Sequence, residues 1–353
     1  MDEIDAILKS GILSGFRANR EYHLGGHYVQ SLEVAFKDYF GVEYAVALNS
    51  ATAGLHVALR ACGVGAGDEV IVTPYSFSAS ASCVLMAGAT PVFADIQDET
   101  FCLDYALLEK VISPHTKAII PVHLCGHPAD MYEIMNFAEF YNLKVIEDAA
   151  QSIGAKYLDD YTGTIGDCGV FSFNQSKHIN TGEGGMLITD NGKIAEIARA
   201  VRNHGEVSVP ELKILGYNYR MTEIEAAIGL EQFNRLDELI AVRVRNAEML
   251  TEGLKGIKGL TPPVTYPGCT HSFYTYALKT RNKQKLCKQL GKRGIYFGTY
   301  VKPLHLLPIF GHKKGLCPVA ERMYEEELIV TDSVKDPDLD TDYIINAFRQ
   351  IMV

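Results

Sequence analysis

Asp148, Gln151, Ser172 and Lys177 each stand at the end of an apolar run or in the polar loop that follows one. A lysine amine can add to a carbonyl, and a carboxylate can keep a ring nitrogen protonated. Together these meet the needs of a pyridoxal-phosphate enzyme. Lys177 lies in FSFNQSKHINTGEGG, and Asp148 ends the run LKVIED, where a carboxylate can point out of a sheet into a crevice. Taken singly, Lys177 is a solvated loop lysine and Asp148 a helix N-cap before AAQSIGA. The pair on neighbouring ligand-facing loops points to the first reading without fixing it.

Three further segments bear on a ligand. In NSATAGLHVALRACG (49–63) the small residues Ser50, Ala51 and Thr52 let backbone approach closely, and the helix that follows offers unpaired N–H groups suited to a phosphate. An ordinary Ser/Thr cap has the same pattern. Phe77, in TPYSFSAS, follows another strand and could stack on a flat ring, although aromatics at such places are more often core. GEGG (182–185) is expected to form a tight turn that places the loop after Lys177, since no helix follows it within a dinucleotide-binding unit.

The elements that must position these residues follow an alternation. YAVAL (44–48), EVIVTP (69–74), TPVFADI (90–96), KAIIPVHL (117–124) and LKVIEDA (143–149) are strands. Helices are expected near 52–62, 79–87 and 130–141. The pattern predicts an α/β fold with a mostly parallel sheet covered by helices on both faces, and ligands then gather at the carboxyl ends of the strands. GDCGVFSF (166–173) and GGMLITD (184–190) are strands joined without a full helix. From residue 222 the spacing turns helical, and beyond it YTYALKT with helices near 283–293 and 318–327 forms a smaller α+β unit. The division is therefore 1–240 for the large domain and 241–353 for the small one.

The bulk properties remove several classes of function. With 47% apolar and 22% charged residues the chain is a well-folded soluble protein. A formal charge of -10 argues against a nucleic-acid surface. Eight cysteines without C-x-x-C spacing are expected to be reduced and mostly buried, with no metal site. The start, MDEIDAILKSGILSG, is acidic and amphipathic, and no stretch is apolar enough to span a bilayer, so a cytoplasmic enzyme is expected.

Several segments in order give a resemblance: NSATAGLHVAL, DEVIVTPYSFSASA, TPVFADI, PVHLCGHPADM, VIEDAAQSIGA, FSFNQSKHINTGEGG, VRNHG and LGYNYRMTEIEAAIGLEQ. The chain resembles the DegT/StrS-type sugar aminotransferases, a branch of the fold-type I pyridoxal-phosphate enzymes, nearly end to end. The resemblance implies a seven-stranded large-domain sheet. It implies pyridoxal 5'-phosphate cycling through pyridoxamine 5'-phosphate, with L-glutamate as donor and a nucleotide-linked keto-deoxysugar as acceptor. A keto-cyclitol acceptor, or a related dehydratase, is the alternative.

In this resemblance Lys177 would join the cofactor and move protons, Asp148 would pair with the ring nitrogen, Gln151 would contact the ring hydroxyl side and Phe77 would stack on the ring. Ala51, Thr52 and Ser172 would hold the phosphate, and Asn218 would reach the phosphate of the neighbouring subunit, which requires a homodimer with shared sites. Two places depart from the pattern. Asn174 stands where many relatives carry histidine, and the segment 14–33 is longer than the usual glycine turn. Tyr75, His123, Asn174, Tyr300, Lys302 and His305 are the expected substrate neighbours, with structural roles as the alternative.

Overall fold

The computed structural model describes residues 2–16, 24–206 and 214–352. Its strands run in chain order as β1 (Tyr44–Leu48), β2 (Glu69–Val72), β3 (Thr90–Phe93), β4 (Thr116–Ile120), β5 (Lys144–Asp148), β6 (Lys156–Tyr157), β7 (Asp160–Tyr161), β8 (Cys168–Ser172) and β9 (Gly185–Thr189). Seven of them form one sheet in the order β1-β9-β8-β5-β4-β2-β3. Only β9 runs against its neighbours, pairing antiparallel with β1 and β8, while the other pairs are parallel. The expected mostly parallel, seven-stranded sheet is the one observed.

The strands are apolar because both faces of the sheet are covered. Along β1, Ala45 and Ala47 belong to one buried cluster while Val46 and Leu48 belong to another; along β9, Met186 and Ile188 separate from Leu187 in the same way. This two-residue alternation sends neighbouring side chains to opposite faces. On one face pack the helices Ala51–Ala61, Ala79–Met86 and Gly192–Arg202. The other face carries His27–Phe40 and Glu223–Phe233, joined by Phe36, Phe40, Phe171, Phe173 and Phe233. Phe36 stacks on Phe233 with ring centroids 4.4 Å apart and lies 5.4 Å from Phe173.

The helical stretch after residue 222 is two helices, Glu223–Phe233 and Leu236–Leu254, the first closed by a capping box between Thr222 and Glu225. The second helix runs unbroken through the expected boundary near 240. Its residues Ala247, Leu250 and Leu254 enter a third core with Leu286, Leu290, Ile344, Ile345 and Phe348. The remaining strands are β10 (Leu260–Thr261), β11 (Cys269–Thr270), β12 (Tyr276–Thr280) and β13 (Leu328–Thr331). β12 lies between β10 and β13, and β11 joins the hairpin β6–β7. That last pairing ties the later part of the chain to the loop after β5. Of the segment 14–33, residues 17–23 lie outside the described residues; Phe16 on its near side lies 4.6 Å from the Arg202 guanidinium, ring centroid to carbon.

Phe36 is fully buried at the centre of the aromatic cluster. Phe36→Ala should cost about 3–5 kcal/mol and lower the midpoint of urea unfolding, and an unchanged midpoint would contradict this account of the core.

Candidate active site

The register of the sheet brings four strand ends together. Leu48 and Ser172 both pair with Gly185, and Asp148 pairs with Val170, two residues before Ser172. The helix Ala51–Ala61 begins at this edge. Its N-cap Ser50 accepts a hydrogen bond from the Ala53 N–H at 3.1 Å, which leaves the Ala51 and Thr52 N–H groups without an intrahelical partner. Gly185 makes the approach possible, because a Cβ there would lie 2.6 Å from the Ala51 nitrogen.

A cavity of about 340 Å³ opens at this edge. Ala51, Thr52, Phe77, Asp148, Gln151, Ser172, Asn174, Lys177 and Tyr300, all expected from the sequence, line it. Phe77 is 62% exposed and stands at its mouth. Asp148 is buried; its carboxylate accepts from the Ser80 hydroxyl at 2.7 Å and from the Ala150 N–H at 3.2 Å. Burial raises the Asp148 carboxyl above its ordinary value, against those two hydrogen bonds and the Lys177 charge, which act the other way. Gln151 accepts from the Cys125 N–H at 2.9 Å and donates to the Tyr300 hydroxyl at 2.9 Å, so its amide orientation is fixed from both ends. The Tyr300 hydroxyl is raised well above its ordinary value by burial.

Other expected residues have different places. His123 does not line the cavity: it is fully buried, its Nε2 lies 2.9 Å from Glu147 Oε2, and its Nδ1 accepts from the Ala129 N–H at 3.0 Å. Glu147 also takes the N–H groups of Gly163, Ile165 and Gly166, so the pair braces the loop before β8. His305 is likewise buried and paired with Glu321 at 2.8 Å. The alternative stated for both histidines, a structural role, is the one their contacts fit. Lys302 is exposed and outside the lining, and Tyr75 lies behind it, its ring edge-on to Tyr300 at 5.2 Å. Asn218 is exposed and does not line this cavity; its carbonyl accepts from the Asn49 side chain at 3.4 Å.

Glu183, Ser176 and Tyr274 also line the cavity. Glu183 accepts from the Asn174 side-chain amide at 3.0 Å, and the Ser176 hydroxyl donates to the other end of that amide at 3.1 Å. Ser80 and Glu183 lie inside motifs already singled out, and their polar side chains next to ligand-facing positions were the available signal. Tyr274 comes from a distant part of the chain and has no local mark. The chemistry the arrangement allows is definite: an amine and a buried carboxylate face one cavity whose far wall is a helix N-terminus able to take an anion.

A model of the DegT/DnrJ/EryC1/StrS aminotransferase family matches residues 13–349. The chain is 39% identical over 340 residues to GDP-perosamine synthase of Caulobacter vibrioides, covering 93% of this chain and 91% of the relative. It is 39% identical over 306 residues to UDP-N-acetyl-3-dehydro-alpha-D-glucosamine 3-aminotransferase of Acidithiobacillus ferrooxidans, covering 86% and 83%. The solved structure of DesV from Streptomyces venezuelae superposes with a TM-score of 0.92 at 32% identity, over 99% of this chain and 93% of that one. Solved structures of the same fold occur in pyridoxal-phosphate and pyridoxamine-phosphate forms.

The raised Asp148 carboxyl has a thermodynamic consequence. The folded protein holds that proton more tightly than the unfolded chain, so the contribution of this group is present at low pH and is lost as pH rises through its folded-state value. In protein prepared free of small molecules, Asp148→Asn should melt above the wild type at pH 8, by about 1–2 °C for each kcal/mol recovered, and converge with it at acid pH. Equal melting temperatures at pH 8 would contradict the burial argument.

Proposed function

The chain belongs to the DegT/DnrJ/EryC1/StrS aminotransferase family, and from that premise we propose how its own residues transfer an amino group to a nucleotide-linked keto-deoxysugar. It is a pyridoxal-phosphate-dependent sugar aminotransferase. The observation that carries the assignment of roles is the convergence of Lys177, Asp148 and the first turn of Ala51–Ala61 on one cavity. The residues fit the cofactor: a carboxylate for a ring nitrogen, an amine for an aldehyde and free N–H groups for a phosphate stand around a space within the range of about 300–1,000 Å³ typical of ligand pockets.

Bound pyridoxal phosphate supplies an aldehyde that can carry the amino group and a ring that can take up an electron pair. Asp148 keeps the ring nitrogen charged; the low-polarity surroundings that raise its carboxyl also make its pairing with a cation strong. Ala51, Thr52 and Ser172 hold the phosphate, Gln151 meets the ring hydroxyl side, and Phe77 covers the ring at the cavity mouth. The Lys177 amine, once free, takes a proton from the donor carbon as base and returns it as acid. The same lysine serves both half-reactions, first with the amino acid donor, which we assign as L-glutamate, and then with the keto-sugar. Its presence in the cavity speaks for amino transfer over dehydration.

We assign the working unit as a homodimer with shared sites, in which Asn218 approaches the phosphate held by the partner. Its exposure and its absence from the lining of its own cavity support this. No helix among the described residues is long and apolar enough to cross a membrane, and we place the enzyme in the cytoplasm. The third core centred on β12 supports a small domain over 241–353.

Borohydride reduction of the cofactor-loaded protein should fix the label on Lys177, and peptide mapping to another lysine would refute the assignment. Lys177→Ala should bind cofactor yet lose turnover with a nucleotide-linked keto-sugar by about three orders of magnitude. The shared site is tested by mixing Lys177→Ala with Asn218→Asp subunits, the second impaired because its carboxylate repels a phosphate. Activity should rise to about a quarter of the wild-type rate, from one intact site in half of the dimers. Proven subunit exchange with no recovery would refute it.

A further inference from the structure

One wall of the cavity has no part in the roles assigned above. Tyr274 lies between β11 and β12, far along the chain from Lys177, yet the Lys177 Nζ sits over its ring, 4.0 Å from the centroid. The Tyr274 hydroxyl and the Ser176 hydroxyl are 2.9 Å apart. Behind them Arg243, buried in the helix Leu236–Leu254, donates to the carbonyl oxygens of Tyr274 at 3.0 Å and of Phe273 and Lys177 at 3.5 Å each. One guanidinium thus anchors both the ring and the amine that rests on it.

The segment is also held from the other side. The Ser272 N–H donates to the Gly126 carbonyl at 3.0 Å, and the His178 Nε2 lies 2.8 Å from the Ser272 carbonyl. Gly126 has φ 101° and lies so close that a Cβ there would be 2.8 Å from the Phe273 nitrogen. Phe273 itself takes φ 46°, a left-handed conformation unusual for a bulky residue. Such backbone persists only where the surroundings over-determine it. The position of the Tyr274 ring is therefore imposed by the fold.

A ring face attracts an ammonium and gives nothing comparable to a neutral amine. We propose that Tyr274 is a further catalytic residue: its ring is the seat of the Lys177 ammonium, holding the proton in place whenever the amine is not joined to the cofactor. This rests on the role of Lys177 given above. The other charged or titratable groups around Lys177 are Asp148 on β5, Glu183 across the cavity, Cys125, Tyr300, and His178 and Arg243 behind the loop. Asp148 favours the ammonium, as the ring does. Arg243 opposes it, and His178 is neutral, its pKa driven down to about 3 by burial with Arg243 and Lys177 adding to the effect.

The test separates the ring's electrons from its shape. Tyr274→Phe keeps the ring face, and pentafluorophenylalanine at the same position keeps the shape while reversing the charge distribution of the face. Each full-length protein, freed of cofactor, is mixed with pyridoxal phosphate, and the rate of its covalent capture is followed by absorbance across pH. Only the neutral amine adds to the aldehyde. Tyr274→Phe should retain the wild-type pH profile, whereas the fluorinated ring should move it to lower pH and speed capture at neutral pH by about five-fold. Superimposable profiles for the two variants overturn the seat, as does an equal shift in both, which would assign the effect to the hydroxyl. Reduction and mapping of the captured label give the control: a label away from Lys177 refutes the role of the lysine, while a label on Lys177 with unmoved profiles refutes only the seat.

Discussion

A buried carboxylate sets the terms for this molecule. Asp148 ends the central strand β5 with only two hydrogen bonds and no adjacent cation among the described side chains within salt-bridge distance. Desolvation makes that arrangement unfavourable for the charged form until a positive group arrives. The site is in this sense suited to a cationic group, and the cost of its absence falls on one residue. Ser80 and Ala150 hold the carboxylate aimed into the cavity, so little reorganisation is needed when the partner binds.

The loops around that carboxylate are stiff for reasons that lie outside the cavity. Glu147, the residue before Asp148, points to the opposite side of the strand and collects three backbone N–H groups as well as His123. Adjacent acidic residues thus have opposite tasks, one bracing the scaffold and the other facing the ligand, because strand geometry sends them to opposite faces. Gly185 contributes by what it lacks, letting the helix Ala51–Ala61 start against β9. Catalytic geometry here is held by packing and hydrogen bonds that never touch a substrate.

The later part of the chain completes the site. Tyr300 fixes the Gln151 amide, Tyr274 meets Lys177, and Arg243 ties the two loops through their carbonyls. The β11–β6 pairing and the third core anchor those contributions to the sheet. A change in the packing of the later part would therefore be felt at the amine without any residue of the large sheet moving.

Most of the sheet was legible in the sequence because each strand carries an apolar run and ends in a polar loop, and the rule that ligands gather at strand ends then pointed to the loops holding Asp148, Lys177, Phe77 and Ala51. Local pattern went no further than those places, and the roles of the residues came from the family resemblance. His123 and His305 were not legible in this way: their neighbours in sequence resemble ligand-facing loops, and only the fold shows each ring turned into the interior against a glutamate. Tyr274 and Arg243 were invisible for a related reason, since their partners lie far away along the chain and no periodicity records such a meeting. The sequence by itself determined which strands exist, where they end and which reactive types stand at those ends. The tertiary structure alone decided which of them share a cavity, because that depends on burial and on contacts between distant segments, which the order of residues along the chain does not encode one position at a time.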